Sequence, residues 1–232
     1  MINSHKLEGI PDLLAVHALK PDSYPYLLAS NSSGGENARY SILLSHPQSI
    51  VSQWAGDEDC LSSIVVDIAN PKQHSDLPFC GGWFVFLSYE YAQSIEPGVE
   101  FFSEKSSLPI AFKARVPAAI IVDHDQVKAY IVVEDGSESL INTMLADIAE
   151  AGVYNPSDLA IGRIKEEDPA HYIDFIVKAK QYILDGDIFQ ANLSRKWNVE
   201  FDQHCDPIAL YHSLSQSNPA QFSALVKYND QY

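Results

Sequence analysis

From Gly186 to Ser194 the chain reads Gly-Asp-Ile-Phe-Gln-Ala-Asn-Leu-Ser. Polar and apolar side chains alternate there. On a strand, Phe189, Ala191 and Leu193 would take one face, and Ile188, Gln190, Asn192 and Ser194 the other. Two amides and a hydroxyl in one row can donate and accept hydrogen bonds, so they can line a pocket for a polar ligand. The same row suits the solvent-facing polar edge of a sheet, and spacing alone leaves both readings open. Other chemistries have less support. The eight histidines are scattered, and none pairs with an acid or thiol at metal-ligand spacing. Cys60, Cys80 and Cys205 form no C-x-x-C pair, and their odd number excludes a complete disulfide set. No serine sits in a G-x-S-x-G elbow. Gly34-Gly35 lacks the Lys-Thr or helix pattern of a phosphate-cradling loop.

The elements that would position this row follow from periodicity. Tyr172, Ile173, Ile176, Val177, Ala179, Lys180 and Ile183 predict an amphipathic helix beginning near Pro169. Gly186 ends it, since glycine reaches positive φ without a Cβ clash. The spacing then predicts a strand over 188–194, extended through Val199. A helix over about 207–215 follows, and a further strand starts at Ala220. Upstream, residues 8–135 read mostly as strands. Tyr26–Ser30 and Arg39–Ser45 flank a turn at 31–37. Gly82–Tyr89 is a continuous apolar and aromatic run, which predicts a strand buried on both faces. Ala118–Asp123 and Val127–Val133 flank His124-Asp125-Gln126 as a hairpin. A helix opens near Ser137 and stops at Gly152. The expected division is 1–152, a connector at 153–169, and a second region at 170–232.

Apolar residues make up 46% of the 232, as in an ordinary folded protein. The net charge of −16 argues against nucleic acid and anionic membrane as partners. No apolar run approaches the ~20 residues of a membrane span, and the first residues lack a signal core. A cytoplasmic location with reduced thiols is expected.

The stretch Lys178–Ser194 resembles the entry segment of the chorismate-binding domain shared by anthranilate synthase component I and aminodeoxychorismate synthase component I. The pieces Tyr26-Leu27-Leu28-Ala29-Ser30, Arg39-Tyr40-Ser41-Ile42, Gly81-Gly82-Trp83 and Pro117 to His124 resemble that family's earlier motifs, in its order. The resemblance covers about Tyr24 to Val226. It implies an α+β fold of stacked, mostly antiparallel sheets with outer helices. Water-using members of the family carry a lysine at the position of Gln190, acting as general base. A neutral glutamine cannot take a proton at pH 7, so Gln190 favours the ammonia-using branch. Gln190, with Asn192 beside it, is the candidate catalytic position.

In tryptophan-regulated anthranilate synthases the first motif ends in Glu-Ser, and the glutamate holds the inhibitor's ammonium group. Ala29 stands at that position. The departure tilts the reading toward the folate-pathway branch, aminodeoxychorismate synthase. A tryptophan-type ligand site would comprise Ser30, Asn37, Ala38, Arg39, Tyr40, Gln221 and Phe222, with Gln221 replacing a proline common in the family. Plain turn and strand chemistry is the alternative reading for Ser30 and Arg39. The resemblance implies that the full enzyme replaces the C4 hydroxyl of chorismate with ammonia delivered by a glutamine amidotransferase subunit. Mg2+ would hold the ring carboxylate as a Lewis acid, and a lysine of a P-I-K-G-T-like motif would act as nucleophile. The 232 residues contain no P-I-[KA]-G-T segment and no S-P-E segment. The chain is therefore expected to be an N-terminal part, inactive alone. Anthranilate synthase component I and a non-enzymatic ligand-binding or amidotransferase-docking module stand as alternatives.

Overall fold

A computed structural model describes residues 2–30, 38–62, 64, 76–96, 98 and 107–232. In chain order it holds β1 (Ile2–Lys6), α1 (Leu13–Leu19), β2 (Tyr26–Ala29), β3 (Tyr40–Ser45), β4 (Ser49–Gln53), β5 (Gly82–Leu87) and α2 (Ala92–Ile95). There follow β6 (Ala111–Val116), β7 (Ala118–Asp123), β8 (Lys128–Glu134), α3 (Ser139–Ala151), β9 (Ile161–Glu166), α4 (Pro169–Asp185), β10 (Trp197–Phe201), α5 (Pro207–Ser217) and β11 (Ser223–Val226). The chain divides into two compact units, Met1–Pro156 with Tyr211–Tyr232, and Ser157–Leu210. These bounds differ from the expected three-part division. The segment 153–169 carries a strand, and the last residues belong with the first unit.

The first unit is built on two antiparallel sheets. One has six strands in the order β1-β8-β7-β3-β2-β11, the other three in the order β4-β6-β5. Alternation along each strand makes one face of each sheet apolar, and those faces meet. The larger sheet contributes Tyr26, Leu44, Ala119, Ile121 and Val132 to the joint core; the smaller contributes Phe84, Phe112, Ala114 and Val116. Tyr26 stacks on Phe84 with ring centroids 4.1 Å apart. Phe112 lies 5.2 Å from Phe86 and 4.8 Å from Tyr228. Burial pushes the Tyr26 phenol up to about 12, so it stays neutral. The chain crosses between sheets at Pro117, which separates β6 from β7.

Helices α1 and α3 contact each other and the larger sheet. Asp12 caps α1, its carboxylate accepting from the backbone N–H of Leu14 and Ala15 at 3.0 and 3.1 Å. Asp147 of α3 accepts from Tyr24 Oη at 2.8 Å and Lys20 Nζ at 2.5 Å. Burial pushes the Asp147 carboxyl up, but the bonds from Lys20 and Tyr24 outweigh it and leave it below its ordinary value.

Two expectations need correction. Gly82–Leu87 is a strand but is not buried on both faces: Phe84 and Phe86 face the joint core, and Val85 and Leu87, on the opposite face, are exposed. Residues 188–194 form no strand; regular structure resumes only at Trp197. The second unit otherwise holds the helix predicted before Gly186, with that glycine at φ 82° as its left-handed cap. It also holds a two-stranded ribbon of β9 and β10. The α+β class and the largely antiparallel sheets are as expected.

Candidate functional site

Strand β2 lies between β3 and β11. The chain leaves β2 through Ser30 and enters β3 through Arg39 and Tyr40. Residues 221–224 run beside β2, with Ser223 opposite Ala29 and Ala224 opposite Leu28. The three segments enclose a cavity of about 620 Å³ lined by Leu28, Ala29, Ser30, Arg39, Tyr40, Ile42, Gln221, Phe222, Ser223 and Ala224. That size lies within the range of small-molecule pockets.

Ser30 ties the three segments together. Its hydroxyl oxygen lies 2.9 Å from the Tyr40 carbonyl and 3.0 Å from the Gln221 carbonyl, and donates to these acceptors in turn. Its backbone N–H donates to Ser41 Oγ at 3.1 Å, which lies 2.8 Å from His124 Nε2. The serine thus has a structural duty, and hydrogen bonding also explains why Ser41 and His124 are there.

Arg39 is held by two carboxylates, Asp123 and, at 3.9 Å, Asp125. Its Nη2 donates to Asp123 Oδ2 at 2.8 Å, its Nε lies 3.2 Å from the same oxygen, and its guanidinium carbon sits 4.7 Å from the Tyr40 ring centroid. The bond to Asp123 raises the guanidinium further above its usual range. Asp123 is 3% exposed and also accepts from the N–H of Asp125 and Gln126 in the β7–β8 turn. The Arg39 hydrogen bond, assisted by these backbone donors against burial, holds the Asp123 carboxyl below its ordinary value. A fixed guanidinium, an aromatic ring and the apolar Leu28, Ile42 and Phe222 suit a ligand that is aromatic or cyclic and carries an anionic group. Phe222 is 80% exposed, so its ring is free to lie against such a ligand.

Five of the residues expected here therefore do converge: Ser30, Arg39, Tyr40, Gln221 and Phe222. Ala38 is buried and does not line the cavity, and Asn37 lies outside the described residues. The expectation missed Leu28 and Ile42, although each stands two positions from an expected residue on a strand and so shares its face. It also missed Asp123, whose link to Arg39 joins the end of β7 to the neighbouring strand β3.

Gln190 and Asn192 belong to the second unit. Both are exposed in the irregular segment between α4 and β10. Among the described residues, no three His, Cys, Asp or Glu side chains converge to hold a metal ion. The three cysteines are free thiols, with Cys60 buried. No helix of the described residues is long and apolar enough to cross a membrane.

Comparison with known proteins agrees with this architecture. An anthranilate synthase component I-like protein of Synechocystis is 27% identical over 220 residues, 94% of this chain and 44% of that protein. An aminodeoxychorismate synthase of Saccharomyces cerevisiae is 26% identical over 168 residues, 68% of this chain and 21% of that protein. The crystal structure of anthranilate synthase component I from Streptococcus pneumoniae has the same fold, with a TM-score of 0.57 at 23% identity, covering 81% of this chain and 47% of that one. The chain spans less than half the length of each of these relatives. Residues 25–232 match the family of chorismate binding enzymes, and the chain belongs to that family.

Proposed function

We propose that this chain forms part of an enzyme that aminates chorismate with ammonia to give 4-amino-4-deoxychorismate, the folate-pathway branch of its family. The observation that carries the reading is Ala29. It is among the residues at the cavity, and by resemblance it stands where tryptophan-regulated anthranilate synthases carry the glutamate that holds the inhibitor's ammonium group. An alanine supplies no anion. Gln190 supports ammonia over water as the nucleophile, because it cannot act as a base on water. The proposed partner is a glutamine amidotransferase subunit that supplies the ammonia.

The cavity is proposed as a tryptophan-type ligand site that orders the first unit without serving as a switch. Arg39 would face the ligand carboxylate, and Tyr40 and Phe222 its ring. Lacking a counter-anion for the ammonium group, the site should bind tryptophan weakly. Calorimetric titration of the purified chain tests this. Tight binding would return the cavity to feedback duty and undercut the folate-pathway reading.

The names of its relatives favour a second reading, anthranilate synthase component I, since the Synechocystis protein carries that description. The product decides. A full-length enzyme containing this sequence, given chorismate, Mg2+ and an ammonium salt, should yield 4-amino-4-deoxychorismate by mass spectrometry. Anthranilate would establish the second reading instead. The 232-residue chain alone should yield neither.

A further inference from the structure

A second cavity, of about 280 Å³, lies within the first unit on the opposite face of β2. Leu28 and Ile42 border the first cavity; Leu27 and Ser41, each one position back along the same strands, border this one. Leu13 and Leu14 at the start of α1, with Leu27 and Val122 on the sheet, give it a buried apolar floor.

The α5 side is polar. Tyr211, His212, Ser215 and Gln216 make one stripe of that helix, and all four line the cavity. Leu214 lies off the stripe and is 56% exposed. A helix that only packed on the sheet would turn its leucine inward and leave the polar groups to water. Here the order is reversed, as it is where a polar ligand is held.

Formal charge is nearly absent from the lining. It includes no lysine or arginine, and its carboxylate is Asp12. Asp12 Oδ1 accepts from the N–H of Leu14 and Ala15 at 3.0 and 3.1 Å, and Oδ2 accepts from the Tyr154 N–H at 3.0 Å. Both oxygens are thus engaged by the backbone and call for no cation. Ser41 Oγ accepts from the Ser30 N–H and lies 2.8 Å from His124 Nε2. Nε2 is the acceptor Ser41 has for its own proton, which puts the imidazole proton on Nδ1. His124 is exposed at the rim of the cavity, so Nδ1–H is the donor it can offer a bound molecule.

We propose that this cavity binds a small uncharged aromatic molecule with one hydrogen-bonding group, its ring against Leu14, Leu27 and Val122 and its polar group toward His124 and Gln216. Size agrees with this class. An apolar cavity of roughly 150 Å³ admits a benzene ring, so about 280 Å³ admits a fused pair of rings with a substituent. Charge separates the two cavities, since Arg39 in the first favours an anionic ligand. The inference does not depend on which product the enzyme makes or on what the first cavity holds.

The test titrates the purified chain with 2-naphthol and with 2-naphthoate by calorimetry at pH 8, and maps the shifted amides by NMR. 2-Naphthol should bind one to one and about tenfold or more tighter than 2-naphthoate, because a carboxylate buried without a cation is disfavoured. The shifted amides should include those of Leu14, Ser41, Val122, His124 and Gln216. His124→Ala removes the donor and Ser215→Trp fills the space, and each should weaken 2-naphthol about tenfold or more. Phe222→Ala, in the other cavity, should change its affinity by less than about twofold. Ser215→Trp leaves the Ser41–His124 bond in place, so it decides the matter if His124→Ala alters the fold. Absence of 2-naphthol binding would overturn the proposal. Tighter binding of 2-naphthoate, or loss of 2-naphthol in Phe222→Ala with shifts at 221–224, would overturn it by assigning the ligand to the first cavity. Binding that survives both His124→Ala and Ser215→Trp would overturn it as well.

Discussion

Asp123 joins the cavity to the hairpin that carries it. Its carboxylate holds Arg39 and closes the β7–β8 turn. Asp123→Ala leaves those donors without their acceptor and is expected to cost about 1–3 kcal/mol, read as a lower urea midpoint. The folded carboxyl titrates below its unfolded value of 3.8. Its contribution is therefore complete above that value and is lost as pH falls through the lower folded one, so variant and parent midpoints should converge in strong acid. His17 sets a second pH window. It is fully buried in α1 with Nδ1 2.7 Å from the Tyr24 carbonyl, and its Nε2 has no hydrogen-bond partner among the described residues. Burial lowers its pKa from 6.5 against the opposing bond to Tyr24. The neutral ring's contribution is present above 6.5 and declines as pH drops toward the folded value. The urea midpoint should fall between pH 7.5 and 5.5, and His17→Gln should flatten part of that fall. Residues such as Ser30 and Arg39 were legible because they sit inside recognisable motifs. Asp123 and His17 were not, because what gives them a role lies on a paired strand distant in sequence or in burial, and neither is written in local spacing.

Elements differed in legibility for physical reasons. The helix before Gly186 has both a periodic apolar pattern and a glycine stop, and Gly186 does adopt φ 82°. Gly186→Ala meets no neighbouring atom but must hold that left-handed backbone with a Cβ, so it should cost about 1 kcal/mol of helix stability, visible as weaker circular dichroism at 222 nm. The alternation at 188–194 misled, because a period of two is necessary for a half-buried strand but is also met by chance in seven irregular residues. Strand β6 was not singled out in the sequence for a different reason. Lys113 and Arg115 make Ala111–Val116 look solvated, yet Lys113 is 2% exposed, with its ammonium 5.2 Å from the Trp83 ring centroid. Arg115 makes a two-pronged pair with Glu134. Long basic side chains bury their stems while their heads find partners, so charge in the sequence did not mean exposure. Phe112 in this strand touches both sheets' aromatic residues. Phe112→Ala should destabilise the first unit by about 3–5 kcal/mol, measured by denaturant unfolding.

For the molecule as a whole, the two units should differ in durability. The first has a continuous core between two sheets; the second exposes most of its apolar residues. Limited proteolysis is expected to cut within 157–210 before it cuts the strands of the larger sheet, and equal rates of loss would contradict that order. The α+β class was readable from alternating strand runs and two stopped helices. The partition was not, because the return of β11 to β2 depends on a pairing almost two hundred positions apart. That pairing bears on how the protein is made. On the ribosome, β2 emerges long before β11, and it waits with one bare edge until residues 223–226 have been synthesised. The cavity wall formed by 221–224 closes only then. A small molecule that fits the cavity therefore recognises a finished sheet and ignores a nascent one. By mass action it favours the closed state, and adding it during cell-free synthesis should raise the yield of soluble chain without changing the rate of elongation.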